Sequence, residues 1–263
     1  MRLMHDDPLP GARNMAIDEA LMASARRGDM TVRFYGWRPG CLSFGRNQAA
    51  AGRYDTDAAT ARGIDIVRRP TGGRAVYHHR ELTYSVTAPA ETWGSLRDAY
   101  CRINRALANG LQALGAPVAC AGERTRGTAP RPTARACFRD PLPGEVTAEG
   151  RKLIGSAQWR VGGALLQHGS LLLANEQRVT EELRITSRES GSSARSDAHT
   201  GAIGLGDVMS TVPTLADLVA ALRSGFETEF GTRIEAGSLD ETEREDVGRL
   251  VDGYTDPAWT WRR

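Results

Sequence analysis

A glycine pair, Gly162-Gly163, separates two apolar runs and is the feature that most constrains how this chain can fold. The run before it begins at Lys152, and the run after it extends over 164–173 and carries His168. Two glycines between apolar runs predict a β-hairpin, because glycine adopts positive φ without steric cost. With the strand-like E-V-T segment that precedes it, the hairpin predicts a small antiparallel sheet displaying the Cys137 thiol, the Lys152 amine and the His168 imidazole.

Lys152 is the single lysine among the 34 lysine and arginine side chains of the sequence. Arginine stays charged over the usable pH range, whereas lysine is a compact cation that can exchange its proton when it is buried. A lysine that persists against such a strong arginine bias therefore indicates proton chemistry or the anchoring of an anionic group. The alternative is that its position is accidental, and we favour the functional interpretation.

Hydrophobic periodicity predicts a mixed α/β fold without internal repeats, so residues 1–263 are expected to form one domain. The predicted helices cover 13–27, 93–115, 214–230 and a terminal segment that ends near 254. The predicted strands cover 31–37, 64–67, 81–88, 118–121 and 232–236. Asp18 and Glu19 fall within the first helix, where solvation is the simplest expectation. Cys41 follows Pro39-Gly40, so we expect it in a turn as a small packed residue.

The composition is that of an ordinary globular protein, with 40% hydrophobic and 25% charged residues and a net charge of +2. This weak charge and an aromatic content of 6% give no reason to expect nucleic-acid binding. Neither a membrane span of roughly 18 apolar residues nor a secretory signal is visible. The four cysteines form no CxxC motif, so no metal or other cofactor is expected. Reduced thiols predict a cytoplasmic protein.

A second stretch, residues 68–79, has the sequence R-R-P-T-G-G-R-A-V-Y-H-H and concentrates basic side chains around a glycine pair. Glycines at 72 and 73 allow the backbone to approach a ligand closely. The candidate ligand-binding residues here are Arg69, Thr71, Gly72, Gly73, Arg74 and His78. A surface hairpin turn with solvated arginines is the alternative interpretation.

Residues 68–86 and 137–170 together resemble the lipoate/biotin protein ligase superfamily, which includes lipoate-protein ligases and octanoyltransferases. R-R-P-T-G-G-R-A-V-Y-H is similar to the ligand loop of that family, and G-R-K-L-I-G-S-A-Q is similar to the segment that carries its pocket lysine. The resemblance spans about residues 10–230, with N-M-A-I-D-E-A-L and W-R-P-G-C-L-S-F-G-R-N-Q as further landmarks. It implies a central mixed sheet flanked by helices, of the biotin-ligase catalytic type. It also implies further substrate-binding residues: Gly155, Ser156, Ala157, Gln158, His168 and Gly169.

Cys137 bears on the choice between two chemistries known in this superfamily. An ATP-dependent ligase activates a free acid and needs no enzyme nucleophile, whereas a transferase that forms an acyl-enzyme needs a thiol. A-C-F-R-D-P places Cys137 fifteen residues before Lys152, as in octanoyltransferases of the Gram-positive type. The resemblance therefore implies Cys137 and Lys152 as the catalytic pair. Lys152 would favour the thiolate and then accept the proton of the incoming amine.

The reaction implied by the resemblance moves octanoyl from acyl carrier protein to a lysine of an acceptor protein. The acceptor would be a lipoyl domain of a 2-oxoacid dehydrogenase or the glycine-cleavage H protein. Acyl carrier proteins are acidic, so four arginines before the thiol are candidates for docking the donor: Arg124, Arg126, Arg131 and Arg135. Three alternatives stay open: an ATP-dependent lipoate ligase with a structural Cys137, an amidotransferase between lipoylated proteins, and a non-catalytic acyl- or biotin-binding module.

Overall fold

The computed structural model describes residues 1–122, 143–185 and 201–262. The strands, in chain order, are β1 (Arg2–His5), β2 (Thr31–Tyr35), β3 (Cys41–Phe44), β4 (Asp65–Arg68), β5 (Val76–His78), β6 (Glu81–Pro89), β7 (Val118–Cys120), β8 (Val146–Ala148), β9 (Arg151–Lys152), β10 (Ile154–Val161), β11 (Ala164–Leu172) and β12 (Glu235–Ala236). The helices are α1 (Gly11–Ala25), α2 (Thr56–Ala61), α3 (Leu96–Ala113), α4 (Arg178–Glu182), α5 (Leu215–Phe230), α6 (Glu241–Thr255) and α7 (Pro257–Thr260).

A six-stranded mixed sheet forms the centre of the protein, in the order β10-β11-β6-β2-β1-β12. The pairs β10-β11, β11-β6 and β6-β2 are antiparallel, whereas β1 runs parallel to β2 and to β12. Two smaller sheets accompany it, β4-β3-β5 and β7-β8-β9. The prediction of a single α/β domain with a central mixed sheet flanked by helices is confirmed.

The central sheet has two buried faces of different character, because successive side chains of a strand point to opposite sides. On one side Phe34, Tyr84 and Leu171 join the large apolar core formed with α3 and α5. On the other side, beneath α1, the paired positions of β2, β6 and β11 carry Arg33, Ser85 and His168. The sheet thus supplies the main hydrophobic core on one face and a buried polar layer on the other.

The predicted helices at 13–27, 93–115 and 214–230 correspond to α1, α3 and α5. α1 begins and ends two residues earlier than predicted, whereas α3 and α5 are shorter than predicted. α3 begins with a capping box in which Ser95 Oγ accepts from Asp98 N and the Asp98 carboxylate accepts from Ser95 N. It packs tightly on α5 at Gly225, where a Cβ atom would stand 2.2 Å from the Ala106 carbonyl oxygen. None of the helices in the described ranges is long and apolar enough to cross a membrane.

The hairpin prediction is confirmed, since β10 and β11 pair across Gly162-Gly163 with both glycines at positive φ. The prediction that Lys152 and His168 share one small sheet is wrong. Lys152 lies on β9 and pairs with Thr147 of β8, whereas His168 lies on β11 of the central sheet. The chain changes sheets at Leu153, whose N–H donates to the Val146 carbonyl oxygen and whose own carbonyl accepts from Leu172 N.

Cys41 belongs to a strand, and the expectation of a turn at this position is wrong. Pro39-Gly40 ends the preceding segment, but residues 41–44 form β3 between β4 and β5. This strand pairs in parallel with β4 and antiparallel with β5, so its backbone hydrogen bonds come from segments distant in sequence. Such tertiary pairing overrides a local turn signal.

Candidate active site

A pocket lies on the polar face of the central sheet, close to its β10 edge. It contains about 430 Å³ of space between its lining atoms, including the open mouth. The lining combines apolar side chains, one lysine and two histidines: Met15, Tyr35, Trp37, Arg69, Val76, His78, Thr83, Lys152, Gly155, Ser156, Ala157, His168, Gly169 and Ser170. Elements distant in the chain thus meet at one concave site, the usual setting of small-molecule binding.

Most of the site residues predicted from sequence meet at this pocket. Those in its lining are Arg69, His78, Lys152, Gly155, Ser156, Ala157, His168 and Gly169. Thr71, Gly72, Gly73 and Arg74 belong to the adjoining loop, which we call the ligand loop and define as residues 69–74. Gln158 lies outside the lining and donates a hydrogen bond to Gln167 Oε1 (2.9 Å). Cys137 and the four arginines that precede it lie outside the described residues.

Lys152 is buried in the pocket wall and forms an ion pair with Glu145. Its Nζ donates to Glu145 Oε1 over 2.6 Å, and the two side chains are 5% and 2% exposed. Glu145 also accepts a hydrogen bond from Tyr100 Oη (3.3 Å). Burial raises the pKa of the Tyr100 hydroxyl, and the negative charge of Glu145 raises it further. The single lysine of the chain is therefore held by a buried carboxylate at the edge of the pocket.

The guanidinium group of Arg69 organises the ligand loop. Its Nη2 donates to the carbonyl oxygens of Gly72 (3.3 Å) and Arg74 (2.8 Å), so the loop curls around the side chain. Its Nη1 donates to the Ser43 carbonyl oxygen (2.9 Å), which ties the start of the loop to β3. The arrangement also needs a glycine at position 45, because a Cβ atom there would stand 2.0 Å from the loop's backbone.

His78 lines the pocket with its ring, and both of its ring nitrogens have protein partners. Nδ1 lies 2.8 Å from Glu81 Oε1, and Nε2 lies 2.5 Å from Ser43 Oγ. The ring stacks on the Trp37 indole with a centroid distance of 4.1 Å. Trp37 in turn donates from Nε1 to Thr83 Oγ1 (2.7 Å). His78 is thus fixed on three sides and offers the pocket a flat surface.

His168 is also engaged at both nitrogens. Nδ1 lies 3.0 Å from Asp18 Oδ2, and Nε2 lies 2.7 Å from Thr71 Oγ1. Burial lowers the pKa of His168 below its ordinary value, although the hydrogen bond to Asp18 opposes this effect. The imidazole is therefore neutral near pH 7, and its ring forms part of the pocket wall.

Glycine is required at position 169 because β10 and β11 approach closely beside the pocket. A Cβ atom at Gly169 would stand 2.5 Å from the Gly155 carbonyl oxygen and 2.8 Å from Tyr84 Cε1. The Tyr84 hydroxyl bonds to Ser156 Oγ (2.7 Å) and accepts from Gln167 Nε2 (2.8 Å). Burial raises the pKa of this hydroxyl, so Tyr84 serves as a neutral support behind the strand.

The cysteines in the described part of the chain differ in their exposure to solvent. Cys41 is fully buried, and burial raises the pKa of its thiol well above the ordinary value. A reactive thiolate at Cys41 is therefore disfavoured. Cys101 and Cys120 are partly exposed. Within the described ranges no group of three or more His, Cys, Asp or Glu side chains has the arrangement of a metal site.

Comparison with known proteins identifies the family that this fold and pocket represent. Residues 10–227 match the lipoyl protein ligase A/B catalytic domain. The chain belongs to this family. It is 40% identical to octanoyltransferase LipM of Kyrpidia tusciae over 271 residues, covering all of this chain and 98% of the relative. It is 38% identical to octanoyltransferase LipM of Moorella thermoacetica, covering 95% and 93% of the two chains.

Solved structures of other proteins have the same fold as this chain. A lipoate-protein ligase A bound with ATP superposes with a TM-score of 0.79 at 22% identity, covering 99% of this chain and 98% of that one. A putative lipoate protein ligase from T. acidophilum with bound lipoic acid gives 0.77 at 23% identity, covering 100% and 99%. At these identities the likeness establishes the fold.

Several residues of the pocket lining were not predicted from the sequence: Met15, Tyr35, Trp37, Val76, Thr83 and Ser170. The carboxylates that bond to His168, His78 and Lys152 were not predicted either: Asp18, Glu81 and Glu145. The simplest expectation for Asp18, a solvated side chain, is wrong, because Asp18 is completely buried. The alternation of β6 was a usable signal, since it places polar residues at 83 and 85 on one face of an otherwise apolar strand.

Proposed function

We propose that this protein is an octanoyltransferase of lipoate biosynthesis. It transfers octanoyl from acyl carrier protein, through a thioester on Cys137, to a lysine of a lipoyl-accepting protein. The observation that carries the proposal is its 40% identity over the whole chain to a protein named octanoyltransferase LipM. Lys152, buried in the wall of a pocket that is apolar at one end, supports the same conclusion.

The pocket suits an acyl chain with a reactive end. Tyr35 lies on β2 and Gly155 on β10, so the lining extends over four neighbouring strands of the sheet. At the β2 end Met15, Tyr35 and Trp37 belong to one buried apolar cluster. At the other end Lys152 supplies the cation. We assign the apolar end to the hydrocarbon tail and the Lys152 end to the thioester carbonyl.

The first half-reaction forms the acyl-enzyme. The Cys137 thiolate attacks the carbonyl carbon of the octanoyl thioester, a carbon–sulfur bond forms, and the bond to the carrier sulfur breaks. The Lys152 ammonium group donates its proton to the departing carrier thiolate. Backbone N–H groups of Gly72-Gly73 or Gly155-Ser156 hold the developing oxyanion, an interaction worth about 3 kcal/mol per donor.

The second half-reaction forms the amide. The neutral amine of the acceptor lysine attacks the carbonyl carbon of the Cys137 thioester, and the bond to the Cys137 sulfur breaks. The Lys152 amine, left neutral by the first step, takes the proton that the acceptor nitrogen loses. Both catalytic groups return to their starting state. Glu145 restores the ion pair with the recharged ammonium group.

The test is a transfer assay without ATP. Purified protein is incubated with octanoyl-acyl carrier protein, and its intact mass is measured before and after adding an apo lipoyl domain. We expect one octanoyl group on the wild type, its transfer to the domain, and loss of both steps in Cys137→Ser. Cys101→Ser is the matched control and should keep both steps. Full activity in Cys137→Ser would refute the mechanism.

Two further arms separate the alternatives. Transfer that requires octanoate and ATP instead of the carrier thioester would identify a ligase. Transfer from an octanoylated H protein, with no reaction from the carrier protein, would identify an amidotransferase. Binding of octanoate without turnover from any donor would indicate a non-catalytic module.

A further inference from the structure

Asp18 is a completely buried carboxylate of α1 that does not line the pocket. Its Oδ1 accepts from Arg33 Nη1 (2.9 Å) and Ser85 Oγ (2.8 Å), and its Oδ2 accepts from Tyr35 Oη (3.0 Å) and His168 Nδ1 (3.0 Å). Burial raises the pKa of this carboxyl group, but the hydrogen bond from His168 and the charge of Arg33 outweigh burial and lower it. Asp18 is therefore ionised and can only accept hydrogen bonds.

The charge of Asp18 sets the direction of the hydrogen bonds that lead to the ligand loop. Because a carboxylate only accepts, His168 carries its proton on Nδ1. The ring is neutral, so Nε2 keeps a lone pair and accepts from the Thr71 hydroxyl at 2.7 Å. Asp18 thus decides which tautomer His168 adopts, and the tautomer decides how Thr71 bonds to β11.

Thr71 ties the middle of the ligand loop to the pocket wall. It is completely buried, and its carbonyl oxygen accepts from Arg46 N (2.7 Å). Its side chain bonds to His168, which lies on β11 next to the pocket residue Gly169. The start of the loop is held separately by the Arg69 guanidinium group. The bond from Thr71 to His168 therefore sets how closely Gly72-Gly73 approaches β11.

We infer that Asp18 is a positioning residue for acyl transfer, acting through His168 on Thr71 to hold the ligand loop against the pocket. It touches no substrate, and its effect depends on the tautomer of His168. The kinetic consequence rests on the proposed octanoyl transfer. The tautomer itself does not, because it follows from the hydrogen bonds of the folded protein alone.

Asp18→Asn changes this chain of hydrogen bonds while keeping the shape of the side chain. Arg33 can only donate, so the amide oxygen of the asparagine must face Arg33 and its NH₂ group must face His168. Nδ1 then has to accept, Nε2 carries the proton, and the bond to Thr71 reverses direction. The variant therefore forces the opposite tautomer of His168.

The kinetic test is a double-mutant cycle in kcat/KM for octanoyl transfer. Thr71→Val removes the hydrogen bond to His168, whereas Asp18→Asn reverses it, so that the buried Thr71 hydroxyl group loses the acceptor for its own proton. Each change is expected to lower kcat/KM about tenfold or more, the effect of one buried hydrogen bond. The double variant is expected to be no slower than Thr71→Val alone, because Asp18 acts through the Thr71 hydroxyl group that this variant lacks. Thr71→Ser restores the hydroxyl group and should regain most of the activity. Effects that add would overturn the inference.

Ser85→Ala is the matched control, since it removes a donor to Asp18 Oδ1 and leaves the hydrogen bond between Asp18 Oδ2 and His168 Nδ1 in place. It should retain wild-type kcat/KM. Nitrogen NMR of the His168 ring should show the Nδ1–H tautomer in wild type and in Ser85→Ala, and the Nε2–H tautomer in Asp18→Asn. An unchanged tautomer in folded Asp18→Asn, or an Nε2–H tautomer in wild type, would overturn the inference. Wild-type protein with this tautomer pattern but no octanoyl transfer would instead refute the proposed function.

Discussion

The Nζ atom of Lys152 donates a hydrogen bond to Oε1 of Glu145 over 2.6 Å, and both side chains are buried. The two residues lie on either side of the turn between β8 and β9, seven positions apart. Removing one partner of a buried ion pair leaves an uncompensated charge, at a cost of about 3–5 kcal/mol. The pair therefore fixes the position of the Lys152 amine at the edge of the pocket.

Lys152→Arg should abolish most of the activity although it keeps the positive charge. The planar guanidinium group cannot exchange a proton at neutral pH and does not fit the geometry of the compact ammonium group. We expect a fall in kcat of at least about 100-fold, the lower end for losing a general acid–base group. Steady-state kinetics with octanoyl carrier protein provide the measurement. Arg151→Lys is the control at the neighbouring position, and near-normal turnover in Lys152→Arg would disprove the assignment.

Glu145→Gln tests the other half of the pair. It leaves the Lys152 ammonium group without its carboxylate, so we expect a loss of about 3 kcal/mol in the free energy of unfolding. We also expect a fall in kcat/KM, because the amine is no longer held in place. Urea unfolding and transfer kinetics measure the two effects. Tyr100→Phe removes the longer 3.3 Å bond to Glu145 but leaves the Lys152–Glu145 ion pair in place, so it should be milder on both counts. Equal stability and activity in Glu145→Gln would contradict this role.

Gly169→Ala should distort the wall of the pocket where β10 and β11 meet. The new methyl group would collide with the Gly155 carbonyl oxygen, so β10 and β11 must separate beside the pocket. We expect a loss of about 1–3 kcal/mol in stability, typical of overpacking, together with a raised KM for the octanoyl donor. Gly248→Ala is the control, because its Cβ atom has open space within α6. Retained donor affinity in Gly169→Ala would show that this strand contact does not shape the pocket.

Acid should destabilise the protein through His168 and Asp18. Both groups have pKa values below their ordinary values of 6.5 and 3.8, so the unfolded chain binds more protons than the folded one as pH falls. Stability should therefore decrease from pH 7 to pH 5, first through His168, with a slope of at most about 1.4 kcal/mol per pH unit for one proton. Urea titrations at pH 7, 6 and 5 should give a flatter slope in His168→Gln than in wild type.

The arginines before the thiol should steer the acidic donor. Changing Arg124, Arg126, Arg131 and Arg135 together to Ser should raise KM for octanoyl carrier protein and flatten its salt dependence. Charges at the rim of an interface act mainly on association and are screened over about 8 Å at physiological ionic strength. Turnover of a small octanoyl thioester should be nearly unchanged. An equal loss with both donors would refute the docking role.

The elements that sequence predicted correctly are those whose signals are local. The glycine pair at 162–163 and the apolar stripe of α3 each specify their own structure within a short window. β3 was missed because its pairing partners lie in other segments, at residues 65–68 and 76–78. A strand of four residues has no pattern of its own strong enough to compete with a preceding proline and glycine.

The residues of the candidate site also differ in whether local sequence could predict them. Lys152 could be predicted because its residue type is unique in the chain, and the ligand loop because its glycines and arginines form a motif. Asp18 could not be predicted, since its burial depends on His168, which lies 150 positions away. Glu145 stands in an ordinary strand-like segment, and only the pairing of β8 with β9 brings it to Lys152. Burial of a charge is a tertiary property that a single sequence does not reveal.

Successive residues of one strand of the central sheet point to different faces, so one contributes to the pocket and the next to the main core. Along β11, His168 and Ser170 face the pocket, whereas Leu165 and Leu171 belong to the main core. Substitutions at the positions that face the pocket can change which ligand the pocket binds. The positions that belong to the main core still contribute their full stabilisation to the fold. Inserting or deleting one residue would exchange the two sets of positions and destroy both contributions at once. Point substitutions on the pocket face of β11 can therefore reshape the pocket while the length of the strand and its contribution to the main core stay constant.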